Sequence, residues 1–265
     1  MKKVIYGLMG FALILTSCET MEKRDEMGSI LTADQLKITI IQPTPGSNTI
    51  IFNNETEGAI IYYDWGTGTL TSRQEYDTIY IPFASTVTLK YTAFCQGGTV
   101  TGSKSFTIAA NDDAYFDTDP AWKGLTGGGA GQTWVYALDI PGGIIAGNGP
   151  EDCQAPAWWT MDASPGNSWI RFHDEITFDL LGAANVTYKA ESGAISKGFF
   201  KVIDPAVFGG VSYSGIQTLN GVTFPWPTPS DGKYHITKLT TDLLSLHEYK
   251  QYNIAMYKRK GYVYP

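Results

Sequence analysis

The residues best suited to chemistry lie in Ala155-Pro156-Ala157-Trp158-Trp159-Thr160-Met161-Asp162 and in Ser168-Trp169-Ile170-Arg171-Phe172-His173. In an extended strand consecutive side chains point to opposite faces, so Trp158 and Trp159 cannot do the same job. The phase holding Trp159 and Met161 is wholly apolar and is expected to be core. Trp158, Thr160 and Asp162 are expected to face outward. The second stretch divides the same way, with Ile170 and Phe172 inward and Trp169, Arg171 and His173 outward. A face with two indoles beside hydrogen-bonding groups suits a pyranose ring. Its C–H face stacks on an aromatic, and its hydroxyl rim takes planar donors and acceptors such as Arg, Asp and Asn. The competing reading is that both phases are buried, one in the core and one under a loop, since tryptophan is rarely wholly exposed.

Trp226 lies in Pro225-Trp226-Pro227-Thr228-Pro229, where the prolines stiffen the segment and bar it from a central strand. Such a loop either holds an indole over a cleft or plugs the end of a sandwich. Trp134 shares its phase with Tyr136 and Leu138, which favours a core position, although it stays among the candidate sugar contacts. Asn148, in Gly147-Asn148-Gly149, completes a set formed with Trp158, Trp169, Trp226, Trp134, Asp162, Arg171 and His173. Trp158 stands foremost in that set.

Catalytic constellations are weaker. Glycosidases need two carboxylates about 5 to 9 Å apart across the scissile bond. The Glu-x-Asp-x-x-Glu run common in jelly-roll glucanases does not occur here. In Asp174-Glu175-Ile176-Thr177-Phe178-Asp179 the in-phase Glu175 and Asp179 would stand about 13 Å apart along a strand. Asp139, Glu151, Asp152 and Asp162 could still converge from separate strands, which leaves hydrolysis open. No Gly-x-Ser-x-Gly turn, phosphate-cradling loop or His-Glu-x-x-His helix occurs. His173, His235 and His247 sit singly in strand-like contexts and read as structural. No catalytic residue, cofactor or metal is assigned. The carboxylates of Asn111-Asp112-Asp113 and Asp117-Thr118-Asp119 could serve calcium or a solvated linker, and their spacing matches no known loop.

The elements that must position these residues are strands, because alternating and β-branched runs punctuated by Gly, Pro, Asn and Asp fill the chain. Residues 35–110 carry short strand-like runs at Lys37 to Ile41, Thr49 to Phe52, Ala59 to Tyr63, Thr78 to Ile81, Val87 to Ala93 and Ser105 to Ile108. Their spacing suggests an immunoglobulin-like β-sandwich of seven strands. Residues 113–265 carry runs at Gln132 to Leu138, Ala157 to Met161, Ser168 to Phe172, Ile176 to Leu180, Asn185 to Lys189, Gly198 to Ile203, Tyr234 to Leu239, Leu243 to His247 and Tyr252 to Lys258. Eight or nine strands with long connections at 139–156 and 204–233 point to a larger C-terminal jelly-roll β-sandwich. The fold class is therefore all-β.

The chain opens with Met-Lys-Lys, an apolar segment from Val4 to Leu15, and Leu15-Thr16-Ser17-Cys18. A basic start followed by a short apolar run is the layout of a secretory signal, too short to span a bilayer. Residues 18–34 are rich in Glu, Asp, Lys and Arg and read as a tether. Lys and Arg number 19 against 26 Asp and Glu, a formal charge of -7, which argues against nucleic acid as a partner. Cys95 and Cys153 are either free buried thiols or one disulfide.

Leu15-Thr16-Ser17-Cys18 resembles the lipobox of bacterial lipoproteins, which implies cleavage after residue 17 and acylation of Cys18. The acidic stretch behind it resembles the export signal of surface lipoproteins in gut anaerobes that degrade glycans. Tyr63-Asp64-Trp65-Gly66-Thr67-Gly68 loosely resembles the turn of PKD-type modules. Trp134 to Asp139, Gly147-Asn148-Gly149, Pro156-Ala157-Trp158-Trp159 and Tyr234 to Thr240 together resemble two-domain surface lipoproteins of glycan-utilisation systems. That resemblance implies an outer-membrane, cell-surface location and a sugar site on the C-terminal domain. It also implies an outer-membrane glycan transporter as a candidate partner. A jelly-roll glycoside hydrolase and an adhesin-like structural protein are the alternatives.

Overall fold

The computed structural model describes residues 31–64, 75–162, 164, 172–224, 226, 227 and 231–265. The signal segment, Cys18, most of the tether, and Trp65, Trp169 and Arg171 lie outside the described residues. By internal contacts the chain divides into two units, one of Met1–Thr39, Asn53–Glu75 and Leu89–Ser103, the other of Ile40–Phe52, Tyr76–Thr88 and Lys104–Pro265. The described residues are all-β apart from a short 3-10 turn and two short helices.

Among the described residues six strands come first: β1 (Ile38–Ile41), β2 (Thr49–Asn54), β3 (Ile60–Asp64), β4 (Tyr76–Tyr80), β5 (Ser85–Cys95) and β6 (Gly98–Ile108). They form two sheets in the orders β1-β2-β4 and β3-β5-β6. These are the orders of the A-B-E and C-F-G strands of an immunoglobulin-type sandwich. Alternation sets one buried face per strand, with Ile50 and Phe52 on β2, Ile61 and Tyr63 on β3, and Val87 and Leu89 on β5.

Helix α1 (Asp113–Phe116) and helix α2 (Pro120–Thr126) follow, and the carboxylates considered above for calcium start and brace them. Asp112 accepts from the amides of Ala114 and Tyr115, and Asp119 accepts from the amide of Ala121 with Pro120 at the first helical position. These side chains satisfy amides that have no partner within the helix. Asp117 pairs with Lys123 at 2.7 Å.

Ten further strands follow among the described residues: β7 (Gln132–Tyr136), β8 (Ile144–Asn148), β9 (Trp159–Asp162), β10 (Glu175–Asp179), β11 (Asn185–Lys189), β12 (Ile195–Phe208), β13 (Val211–Leu219), β14 (Lys233–Leu239), β15 (Leu243–Glu248) and β16 (Asn253–Arg259). They form one sheet, β15-β14-β13-β12-β11-β10-β7-β16-β8-β9, with β15 also paired to β16. That last pairing closes β7 and β10 to β16 into an eight-stranded barrel. Strands β7 and β8 lie in succession along one edge of β16, Val135 and Tyr136 opposite Lys258 and Tyr257, then Ala146 to Asn148 opposite Ala255 to Asn253. Strand β9 pairs back on β8 and extends the sheet beyond the ring.

This order corrects the expected jelly roll. A jelly roll is built from Greek keys, whereas here β10 to β16 each pair with the next, an up-and-down meander. The connections read as long loops hold the missing strands. Within 204–233, strand β12 runs on to Phe208 and turns through Gly209 and Gly210, both at positive φ (55° and 81°), into β13. Two such residues between strands favour a tight hairpin turn. Pro205 sits where the β12–β13 register shifts between Ile203 and Ala206, a position that tolerates a residue without an amide hydrogen.

Side chains fill the barrel, as an eight-stranded ring has room for little else. Trp134, Tyr136, Ile176, Phe178, Phe200 and Tyr257 are buried in one cluster with Trp122 and Leu125 of α2. The indole N–H of Trp134 donates to the Leu125 carbonyl at 2.9 Å. The hydroxyls of Tyr136 and Tyr257, further along their strands, both donate to the Trp226 carbonyl, at 3.2 and 2.7 Å.

Candidate functional site

Strands β8 and β9 carry the Trp158–Trp159 pair, and a glycine lets them meet. At Gly147 (φ 154°) an added Cβ would lie 2.0 Å from the Trp159 carbonyl oxygen, so a side chain cannot fit without moving the strands apart. Asn148 then fixes the chain that follows the loop. Its carbonyl accepts from the amides of Ala157 and Trp158, both at 3.0 Å, and its side-chain oxygen accepts from the Trp159 amide at 2.9 Å. Tyr252, just before β16, gives its carbonyl to the Gly149 amide at 3.0 Å.

These constraints set two aromatic pairs beside the start of β9. Trp158 is 61% exposed and Tyr252 48%, with ring centroids 5.2 Å apart at 56°. Trp159 is 39% exposed and its ring meets that of half-buried Trp226 edge-on, 6.3 Å away. Trp226 is held from behind by the two tyrosine hydroxyls on its carbonyl and by its own indole N–H, which donates to the Ile254 carbonyl at 3.2 Å.

The expected assignment of Trp159 to the core is corrected here. Its phase is right, because Met161 two residues on is buried in the barrel cluster. Depth is what differs, since Trp159 is the first residue of β9 and stands against Trp226 with 39% of its surface exposed. Trp158 faces outward as expected. Trp134 is corrected as a sugar contact, because it is fully buried with its N–H satisfied and has no ring face to offer.

The remaining candidates scatter. Asn148 belongs to the site as the residue that sets the backbone under both indoles. Asp162 lies exposed at the far end of β9, about 10 Å along the strand from Trp159, and accepts from the Ser164 amide. His173 lines a different open cleft of about 410 Å³ with Phe172, Leu138, Asp139, Glu175, Lys258 and Lys260. There Lys258 pairs with Asp139 at 2.6 Å and Lys260 with Glu175 at 2.7 Å. The lysine beside each holds both carboxyls below their ordinary values. That is opposite to the raised value a general acid needs. Trp169 and Arg171 lie outside the described residues. Tyr252 was missed from sequence, although an aromatic in the Lys250-Gln251-Tyr252-Asn253 turn is a usable hint. Only the β8–β16 register reveals that it meets Trp158. Cys95 and Cys153 are both free thiols, and burial pushes the Cys153 thiol up.

No protein-family model matches the chain and no curated protein matches it. A solved structure described as one of the carbohydrate-binding modules from the beta-sandwich super family aligns with 84% of this chain and 90% of its own, at 12% identity and a TM-score of 0.24.

Proposed function

We propose that this protein is a glycan-binding surface lipoprotein. In this reading Cys18 is acylated and holds the chain in the outer membrane, and residues 35–110 form a spacer. The barrel within residues 113–265 captures a poly- or oligosaccharide for a glycan-utilisation system with an outer-membrane transporter. One observation carries the binding step: two aromatic pairs, Trp158 with Tyr252 and Trp159 with Trp226, flank the start of β9, and Trp158, Tyr252 and Trp159 are each at least 39% exposed. Open indole and phenol faces on a backbone already fixed by Asn148 can stack sugar rings with little conformational entropy to lose. The location rests on the lipobox and the acidic tether.

Affinity electrophoresis of the soluble chain, starting after Glu26, against plant, host and microbial polysaccharides tests this reading, with reducing-sugar release followed in parallel. Retardation on a glycan that Trp158→Ala weakens about tenfold supports it, since about 1.4 kcal/mol is a factor of ten. Release of sugar makes the protein a hydrolase. No retardation on any glycan by the folded protein rejects the proposal.

A further inference from the structure

The loop between Asn148 and Trp158 is held down by a row of buried side chains on the barrel's outer wall. On β14 and β15 the core residues Tyr234, Ile236, Leu244 and Leu246 alternate with His235, Ser245 and His247, which therefore point outward. All three are nonetheless fully buried. Each holds a backbone carbonyl of the loop: His235 Nε2 that of Glu151 at 2.7 Å, His247 Nε2 that of Cys153 at 2.7 Å, and Ser245 Oγ that of Gln154 at 2.8 Å. The histidines are direct cross-strand partners and stack at 4.7 Å and 22°, so neither sits singly as the sequence suggested.

The hydrogen bonds fix the tautomer of His235 and the proton on Nε2 of His247. A carbonyl can only accept, so Nε2 of each ring carries the proton. Nδ1 of His235 accepts from the Lys250 amide at 3.2 Å and must be bare. His235 is therefore neutral, and Nδ1 of His247 is buried without a hydrogen-bond partner.

We propose that His235 and His247 are positioning residues for the aromatic cluster, and that acid releases the 149–157 loop and with it Trp158 and Trp159 from their binding arrangement. This rests on the glycan-binding reading for its consequence but not for its mechanism. Burial lowers the affinity of both rings for a second proton, and His235 beside it helps bring His247 down to about 4. Groups facing the pair from the loop are Glu151, Asp152 and Cys153, and the carboxylates of the first two oppose the shift, as does the backbone of Gln251. From the other sides come Tyr249, the Lys250 amide, and Tyr213 of β13, none supplying a counter-charge against the rings. With the loop lifted, the rings regain an ordinary value near 6.5. The closed loop is therefore fully favoured above about pH 6.5. Each pH unit below that favours opening about tenfold through His247 until its closed form takes up a proton at about 4, and the lowered His235 acts in the same direction.

Hydrogen exchange of the intact protein, read over 149–159 between about pH 7 and pH 4 and corrected for intrinsic rates, tests the device. Loss of protection in this loop while β10 to β13 stay protected supports it. The double variant His235→Gln/His247→Gln, whose amides can donate without titrating, is expected to remove the pH dependence. Ser245→Ala, which removes one donor and no charge, is expected to raise loop exchange at every pH and serves if the double variant does not fold. A loop protected down to about pH 4, or one that loses protection only together with the barrel strands, overturns the proposal. Acid release of the loop in a protein that binds no glycan at any pH leaves the clamp standing and rejects only the binding function.

Discussion

The barrel gathers tryptophans in two places and treats them differently. Around α2, Trp122 and Trp134 are sealed in a cluster with Phe116 and Phe200, and the Trp134 N–H is spent on the Leu125 carbonyl. At the start of edge strand β9, Trp159 meets Trp226 and Trp158 meets Tyr252, and among the described residues no helix lies over them. Residue type is the same, and what differs is whether an element arrives to finish the burial. A helix completes a core at one place. At the other the rings keep contact area unspent, and unspent aromatic area backed by a fixed backbone is the physical basis of a stacking site.

Removing Trp134 should produce the largest effect. Trp134→Ala is expected to cost about 3–5 kcal/mol in denaturant unfolding, by cavity formation and loss of a buried hydrogen bond. Gly147→Ala comes next, at about 2–3 kcal/mol, because its Cβ meets the Trp159 carbonyl and β8 and β9 must part. It is also expected to shift the tryptophan fluorescence of the exposed pair. Trp158→Ala inverts the pattern, changing stability by no more than about 0.5 kcal/mol while weakening glycan retardation about tenfold. A Trp158 variant that unfolds as readily as the Trp134 variant would break the comparison. Smallest of all, Lys260→Gln in the charged cleft should alter stability by less than about 0.5 kcal/mol, because Lys260 is 54% exposed and its pair with Glu175 is screened by solvent. It should leave glycan binding untouched, which separates that cleft from the aromatic cluster.

Strand alternation made much of this legible in advance. The run Asn185 to Lys189 has in the sequence the limits that β11 has in the structure, and the outward Trp158 and inward Met161 follow from period two alone. The hairpin at Gly209-Gly210 lies inside 204–233, which the sequence presents as a long connection. The histidine pair was not legible, because His235 and His247 come together only through cross-strand register.

What the sequence by itself determined was local: strand identity, the face each side chain takes, and a backbone that could approach closely at Gly147. Those follow from φ/ψ preference and the pleat, which need no distant partner. The tertiary structure decided how deep each side chain lies and what covers it. It closed the meander through β15 and β16, buried Trp134 under a helix, left Trp159 at the start of its strand, and folded a loop over two outward histidines. Burial depends on which residues, far apart along the chain, end up side by side, and alternation within one strand carries no record of that.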